Sequence, residues 1–278
     1  MSAVQEVIGQ RRRGLRRLIR WPWAWPLLAM PMSLIVYVLV VIAADLALIG
    51  WERRVREPML PLRMFRSRDF ALGNLTTFLM SGATFAAAFL ITQEFQFARG
   101  YSPVSTGLRL LPFFGTPMLV SPIAGALSDR MGRRPIMATG LALQALGFAW
   151  VAERGSLHTS WVELVVALLV AGVGVSMALP TVPTAVLSSV AGIEMGKASG
   201  INYMAQRFGA VFAIAIASAV FSAHGNLSDP TAVTAGFRPA MWSCVLFATL
   251  AALTSVAMRA RRPRASDPTY AADIPVAA

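Results

Sequence analysis

The sequence predicts an all-α polytopic membrane protein, and three observations predict it. Only 14% of the 278 residues are charged, against 56% hydrophobic, where an ordinary globular domain carries about 25% charged residues. The mean hydropathy is +0.61. The apolar residues gather into runs about as long as the roughly 20 residues a helix needs to cross a bilayer, and the arginines fall between those runs. Charge is expelled from hydrocarbon and collects in the connecting loops. No water-soluble core explains that arrangement.

The same numbers exclude other classes. A net charge of +12 suggests nucleic acid, but the arginines sit at the ends of apolar runs and not on one soluble face. The one cysteine, Cys244, lies inside an apolar run, so no disulfide framework or cysteine metal site is expected. His158 and His224 fall in predicted loops, without a carboxylate or second histidine at ligand spacing. No metal or cofactor is expected. An intramembrane enzyme needs a nucleophile with a base or an acid pair within spans. No Gly-x-Ser-x-Gly, no in-span histidine and no carboxylate pair on one helical face is present.

Seven spans are expected, taken in order. Residues 1–26 form a basic segment with Arg11, Arg12, Arg13, Arg16, Arg17 and Arg20, followed by Trp21, Trp23 and Trp25 as interfacial anchors. Residues 27–50 read as the first span. Residues 51–69 form a basic connector in which Pro58 and Pro61 prevent a continuous helix. The second span covers about 70–97 and contains Asn74, Thr76, Thr77, Gln93 and Glu94. The third covers about 104–128. Its Pro112, Pro117 and Pro122 are tolerated only if side chains or neighbouring helices bond the carbonyls they free. The fourth covers about 136–152 and the fifth 161–187, the latter with Gly172, Gly174, Pro180 and Pro183. The sixth covers about 198–222, with Asn202, Gln206 and Arg207 in its front half. A polar stretch, 224–236, reads as a turn. The last span covers about 237–258, and the tail 260–278 is polar and Pro-containing, a disordered composition.

Charge sets the orientation. The connector 51–69, the elbow at Arg130, Arg133 and Arg134, the elbow at Lys197, and the tail hold most of the cations. The intervening loops hold Arg99 and Arg154. By the positive-inside rule the first set, and with it the C-terminus, is cytoplasmic. The span 27–50 conflicts with this, being basic at both ends. Three readings would resolve this: the segment 1–26 is not native to the fold, which is the expectation; 27–50 does not cross; or the N-terminus lies flat as a basic amphipathic anchor.

The elbow Gly125-Ala126-Leu127-Ser128-Asp129-Arg130-Met131-Gly132-Arg133-Arg134-Pro135 carries a specific pattern. It resembles the signature loop between the second and third helices of a half in the major facilitator superfamily. Three further segments resemble, in order, the fourteen-span drug/proton antiporter branch of that superfamily. They are the connector from Trp51 to Leu62, Gly100-Tyr101-Ser102-Pro103 with Gly107-Leu108-Arg109-Leu110-Leu111-Pro112 after it, and Ala198-Ser199-Gly200 with Arg207. The resemblance implies a six-helix C-terminal half, residues 70–259, plus one preceding span. It implies efflux of a small amphiphilic or cationic substrate against protons, in a plasma membrane. It also implies that the family's first half, with its antiporter motif, is absent, so that transport needs that half from another chain or a second copy of this one. The alternative is a truncated membrane protein or scaffold that does not transport.

The same resemblance assigns candidate site residues. In the signature loop, Gly125 is expected to allow close helix approach, and Asp129 to face the positive end of a helix in the missing half. Arg130, Arg133 and Arg134 hold the loop, around Gly132, at the cytoplasmic face. By the resemblance, the first, second, fourth and fifth helices of a half line the substrate path, and the third and sixth face lipid. Asn74, Thr77, Glu94, Arg109, Asn202, Gln206 and Arg207 are then candidate lining residues. Glu94 and Arg207 are ionisable and in or near spans, so they face a cavity, face one another or reach the interface. Asn202 and Gln206, four residues apart, share a helix face and serve either as lining or as bonds between helices. The small pairs Gly196/Gly200 and Ala213/Ala217 read as packing.

Overall fold

The computed structural model describes residue 50 and residues 62–155 and 159–258. The chain divides into two compact units, 1–60 and 61–278, and the second holds all the helices described here. Nearly all of the expected span 27–50, most of the connector, His158 and the tail lie outside the described residues.

Six helices come after a short 3-10 turn, Leu62–Arg66. They are α1 (Arg68–Gln93), α2 (Pro103–Met131), α3 (Arg133–Arg154), α4 (Trp161–Leu187), α5 (Met195–His224) and α6 (Pro230–Ala257). All six are long and apolar enough to cross a membrane. α1 is continued by a π-helical turn, Glu94–Ala98. α2 begins where the sequence supplies a start signal: Ser102 accepts a bond from the Ser105 N–H at 3.3 Å, and Pro103 stands in the first turn, where its missing N–H costs nothing.

One expected boundary is corrected. The polar stretch 224–236 is not a turn throughout, because α6 begins at Pro230, after Asp229. Asp-Pro starts a helix for the same reason that Ser-Pro starts α2. His224, expected in a loop, is the last residue of α5.

Two of the in-helix prolines, Pro117 and Pro180, are accommodated as the sequence requires. Pro117 cannot bond the Phe113 carbonyl, and the Thr116 hydroxyl donates to it at 2.7 Å. Pro180 cannot bond the Ser176 carbonyl, and Ser121 of α2 donates to it across the helix interface at 3.0 Å.

α1 packs on α5 and α6, α4 packs on α2 and α3, α3 packs on α6, and α1 and α4 touch. Exchanging the first three helices for the last three maps this pattern onto itself. The matched helices run in opposite directions, so the bundle is a pair of inverted three-helix repeats, an arrangement found in transporters. α2 and α5 are the matched pair left open. In their most apolar stretches only 17% and 22% of residues are buried, against 61% in α1.

One end of the bundle, the basic end, carries Arg63, Arg66, Arg68, Arg130, Arg133, Arg134 and Lys197. The far end carries Glu94, Arg99, Glu153, Arg154, Glu163 and Arg238. Ion pairs brace both, Arg63 with Glu194 at the basic end and Arg238 with Glu153 (2.6 Å) at the far end.

Candidate functional site

The structure sorts the expected site residues into three places along the bundle and does not gather them into one site.

At the basic end, the signature loop is a tight reversal between α2 and α3. Gly132 has φ +92°, a conformation that side chains other than glycine's rarely adopt, and its N–H bonds the Ser128 carbonyl at 2.9 Å. Arg133 donates to the Thr184 carbonyl at 3.2 Å, in the last turn of α4, where a cation meets the negative end of a helix. Asp129 and Arg130 are exposed, and Arg134 is half-buried. Gly125 does not bring α2 against a neighbour within this chain: a Cβ there would meet nothing within 4 Å. The same holds for Gly196 and Gly200 in the first turns of α5. Ala213 and Ala217, by contrast, are buried in packing, Ala213 against Gly82 of α1.

About two turns in from the basic end, Asn74, Thr77 and Asn202 form one buried knot. Asn202 of α5 donates to Thr77 Oγ1 at 2.8 Å and to Asn74 Oδ1 at 3.3 Å, both on α1. Gln206, one turn on, is half-buried on the flank of that contact. Asn74, Thr77 and Asn202 bond helix to helix. Arg207 points away from the knot. It is exposed, donates to the Tyr203 hydroxyl at 2.6 Å and lies 4.8 Å from the centre of that ring.

At the far end, Glu94 is buried, with 1% exposure. Its partner is Arg99 (Nε to Oε1, 3.1 Å), not Arg207. The π turn makes that pairing possible. Residues five apart do not face each other on an α-helix, but here the Arg99 N–H reaches back to the Glu94 carbonyl at 3.2 Å, and the side chains come with it. Arg99 also donates to the Thr159 carbonyl at 3.0 Å, which ties α1 to the entry of α4. Beside it, the Arg109 guanidinium lies 4.0 Å from the Tyr101 ring centre and 5.6 Å from that of Trp161.

Residue reasoning missed Arg99, Tyr101 and Trp161 as site residues, although Arg99 was placed in a loop and Tyr101 lies in the segment Gly100-Tyr101-Ser102-Pro103. It also missed Gln144, a fully buried amide of α3 that donates to Thr84 of α1 at 2.9 Å. A lone amide in the apolar run 136–152 was the available signal. Among the described residues no group of His, Cys, Asp and Glu suited to a metal ion forms.

Six membrane-length helices in two inverted triplets, with one matched pair of faces uncovered, define a polytopic helical bundle of the transporter type. More particularly, the chain belongs to the Major Facilitator Superfamily, whose family model matches residues 73–276. That superfamily is one of transporters, not of enzymes. It is 34% identical over 182 residues to the multidrug resistance protein Stp of Mycobacterium tuberculosis, a match covering 65% of this chain and 34% of that protein. It is 28% identical over 177 residues to the multidrug transporter protein MdtP of Bacillus subtilis (63% and 32%). It is 28% identical over 186 residues to the multidrug efflux pump LfrA of Mycolicibacterium smegmatis (66% and 36%). The chain spans about a third of the length of the curated relatives it matches.

Proposed function

We propose that residues 70–259 are the C-terminal half of a fourteen-span drug/proton antiporter, and that they export small amphiphilic or cationic molecules only when a first half covers them. The observation that carries this is the uncovered face of α2 and α5. A surface that met only lipid would have no use for open glycines along α2 or for an exposed Arg207 within α5. Each fits a wall whose opposite wall belongs to another unit, with the pathway between them. The names of the relatives, multidrug and antibiotic resistance and export proteins, support a drug as cargo.

In this proposal the basic end lies in the cytoplasm of a cell bounded by its plasma membrane, and the tail lies there too. Asp129 sits at the positive end of a helix in the first half. Glu94 with Arg99, and Arg109 with its two aromatic rings, then stand at the outer end of the path.

The test is ethidium efflux from cells expressing the chain with and without a first half taken from a relative. Efflux is expected only in the pair. Efflux by the chain alone at the pair's rate overturns the requirement for a first half. Correct insertion with no efflux beside any first half favours a non-transporting membrane protein. The orientation is checked separately by cysteines placed near Arg133 and Arg154, which should react with impermeant reagents from opposite sides.

A further inference from the structure

α1 and α5 run side by side in the same direction, and small residues fix where they cross. A Cβ on Gly82 would lie 2.9 Å from the Ala213 Cβ and 2.9 Å from the Gly209 carbonyl, so the two backbones are nearly in contact there. Helices pinned at a crossing diverge away from it. Toward the far end the gap between them opens into a recess of about 460 Å³, the size of a site for a drug-sized molecule. The chain after α5 closes one side. Gly225 lies so near Gly236 of α6 that a Cβ would come within 2.9 Å of it, which draws the loop through Asn226 and Leu227 along the recess.

The walls combine two kinds of group. Phe89, Phe221 and Leu227 supply apolar surface. Gln93 and Ser218 line the same space, and among the described residues neither side chain has a hydrogen-bond partner. Asn226 uses its carbonyl oxygen on the Ser228 N–H at 3.0 Å, which leaves its amide hydrogens for another acceptor. No Asp, Glu, Lys, Arg or His lines the recess. Glu94, next to Gln93, is held by Arg99.

We propose that this recess binds uncharged amphiphiles: an apolar ring system lies against Phe89, Phe221 and Leu227, and its hydrogen-bonding end meets Gln93, Ser218 and Asn226. The walls hold no carboxylate to pair with a cation, so an ammonium entering the recess would give up water for the ring faces alone, a weak exchange at a half-open site. The site lies within one half of the fold. It lies between two helices expected to line the path, and its ligand is the uncharged part of the proposed cargo, but binding there does not rest on transport by the chain.

The test is the rate at which N-ethylmaleimide alkylates the Ser218→Cys variant of the full chain in lipid nanodiscs. The native Cys244 is 1% exposed and does not compete. The probes are 2-naphthylmethanol and its trimethylammonium counterpart, which share a ring and differ in charge. The alcohol is expected to slow alkylation at least fivefold, saturably, and the cation less than twofold. Phe89→Ala in the same background is expected to raise the midpoint concentration of the alcohol at least threefold. Val104→Cys, exposed at the far end of α2, should be slowed by neither probe. If Ser218→Cys does not insert, Ser222→Cys on the next turn is read in the same way. Equal slowing at Val104→Cys, equal slowing by the cation, or no slowing by the alcohol overturns the proposal.

Discussion

α1 and α2 are equally able to cross a bilayer, yet their glycines do opposite things. In α1, a Cβ on Gly73 would meet Val186 at 2.6 Å, and one on Gly82 would meet Ala213 at 2.9 Å. In α2, Gly107, Gly115 and Gly125 all open onto space with nothing within 4 Å. α5 holds both kinds, with Gly209 against α1 and Gly196 and Gly200 open. In lipid no hydrophobic force distinguishes the inside of a bundle from its outside, and close approach between small residues is what holds helices together. A glycine with a neighbour marks a contact this half makes for itself. An open row of them along α2 and the start of α5 marks a face built for a contact outside it.

That contrast can be broken by substitution. Gly82→Leu should be the most damaging change, costing about 3 kcal/mol by overpacking the α1/α5 crossing and lowering the yield of folded protein. Gly125→Leu should leave the stability of the half unchanged or slightly raised, because glycine is a poorer helix former by about 1 kcal/mol. Unfolding by denaturing detergent compares the two, and equal losses would end the distinction between covered and open glycines.

A smaller effect sharpens the comparison at the prolines. Ser121→Ala leaves the Ser176 carbonyl, freed by Pro180, without its donor from α2, and should cost about 1–2 kcal/mol. Thr116→Val removes a donor within α2 itself and should cost about 1 kcal/mol. The first change should loosen α2 from α4, seen as faster hydrogen exchange on both helices; the second should speed exchange on α2 alone. Smaller still, Asn202→Leu should cost about 0.6–1.7 kcal/mol by breaking the bonds to Thr77 and Asn74, while Asp129→Asn should change stability by less than about 0.5 kcal/mol. A destabilised Asp129→Asn would mean that the carboxylate works within this half after all.

Much of the frame was legible in the residues. The spans from 70 to 222 lie within a few residues of α1 to α5, because helix length in a membrane is set by the apolar run. The need to re-satisfy the carbonyls freed by proline was legible as well, though the donors were not: nothing local to Pro180 points to Ser121 on another helix. The start of α6 was misread because Asp229-Pro230 occurs amid turn-forming residues and marks a helix only through the proline in its first turn. Glu94 was undecidable, since its partner Arg99 comes within reach only through the π turn. Asn202 and Arg207 look alike as polar in-span residues, and only the packing turns one into α1 and leaves the other on the open face.

The sequence by itself determined that the chain crosses a membrane, where its spans fall and where its charge collects. Each of these is a sum along the chain, because every residue has its own cost of transfer into lipid. Tertiary structure decided which face of each helix is covered, which glycines touch and which polar groups pair. A face that meets lipid and a face that meets another helix are both apolar, so the pattern of a span carries almost no record of which is which.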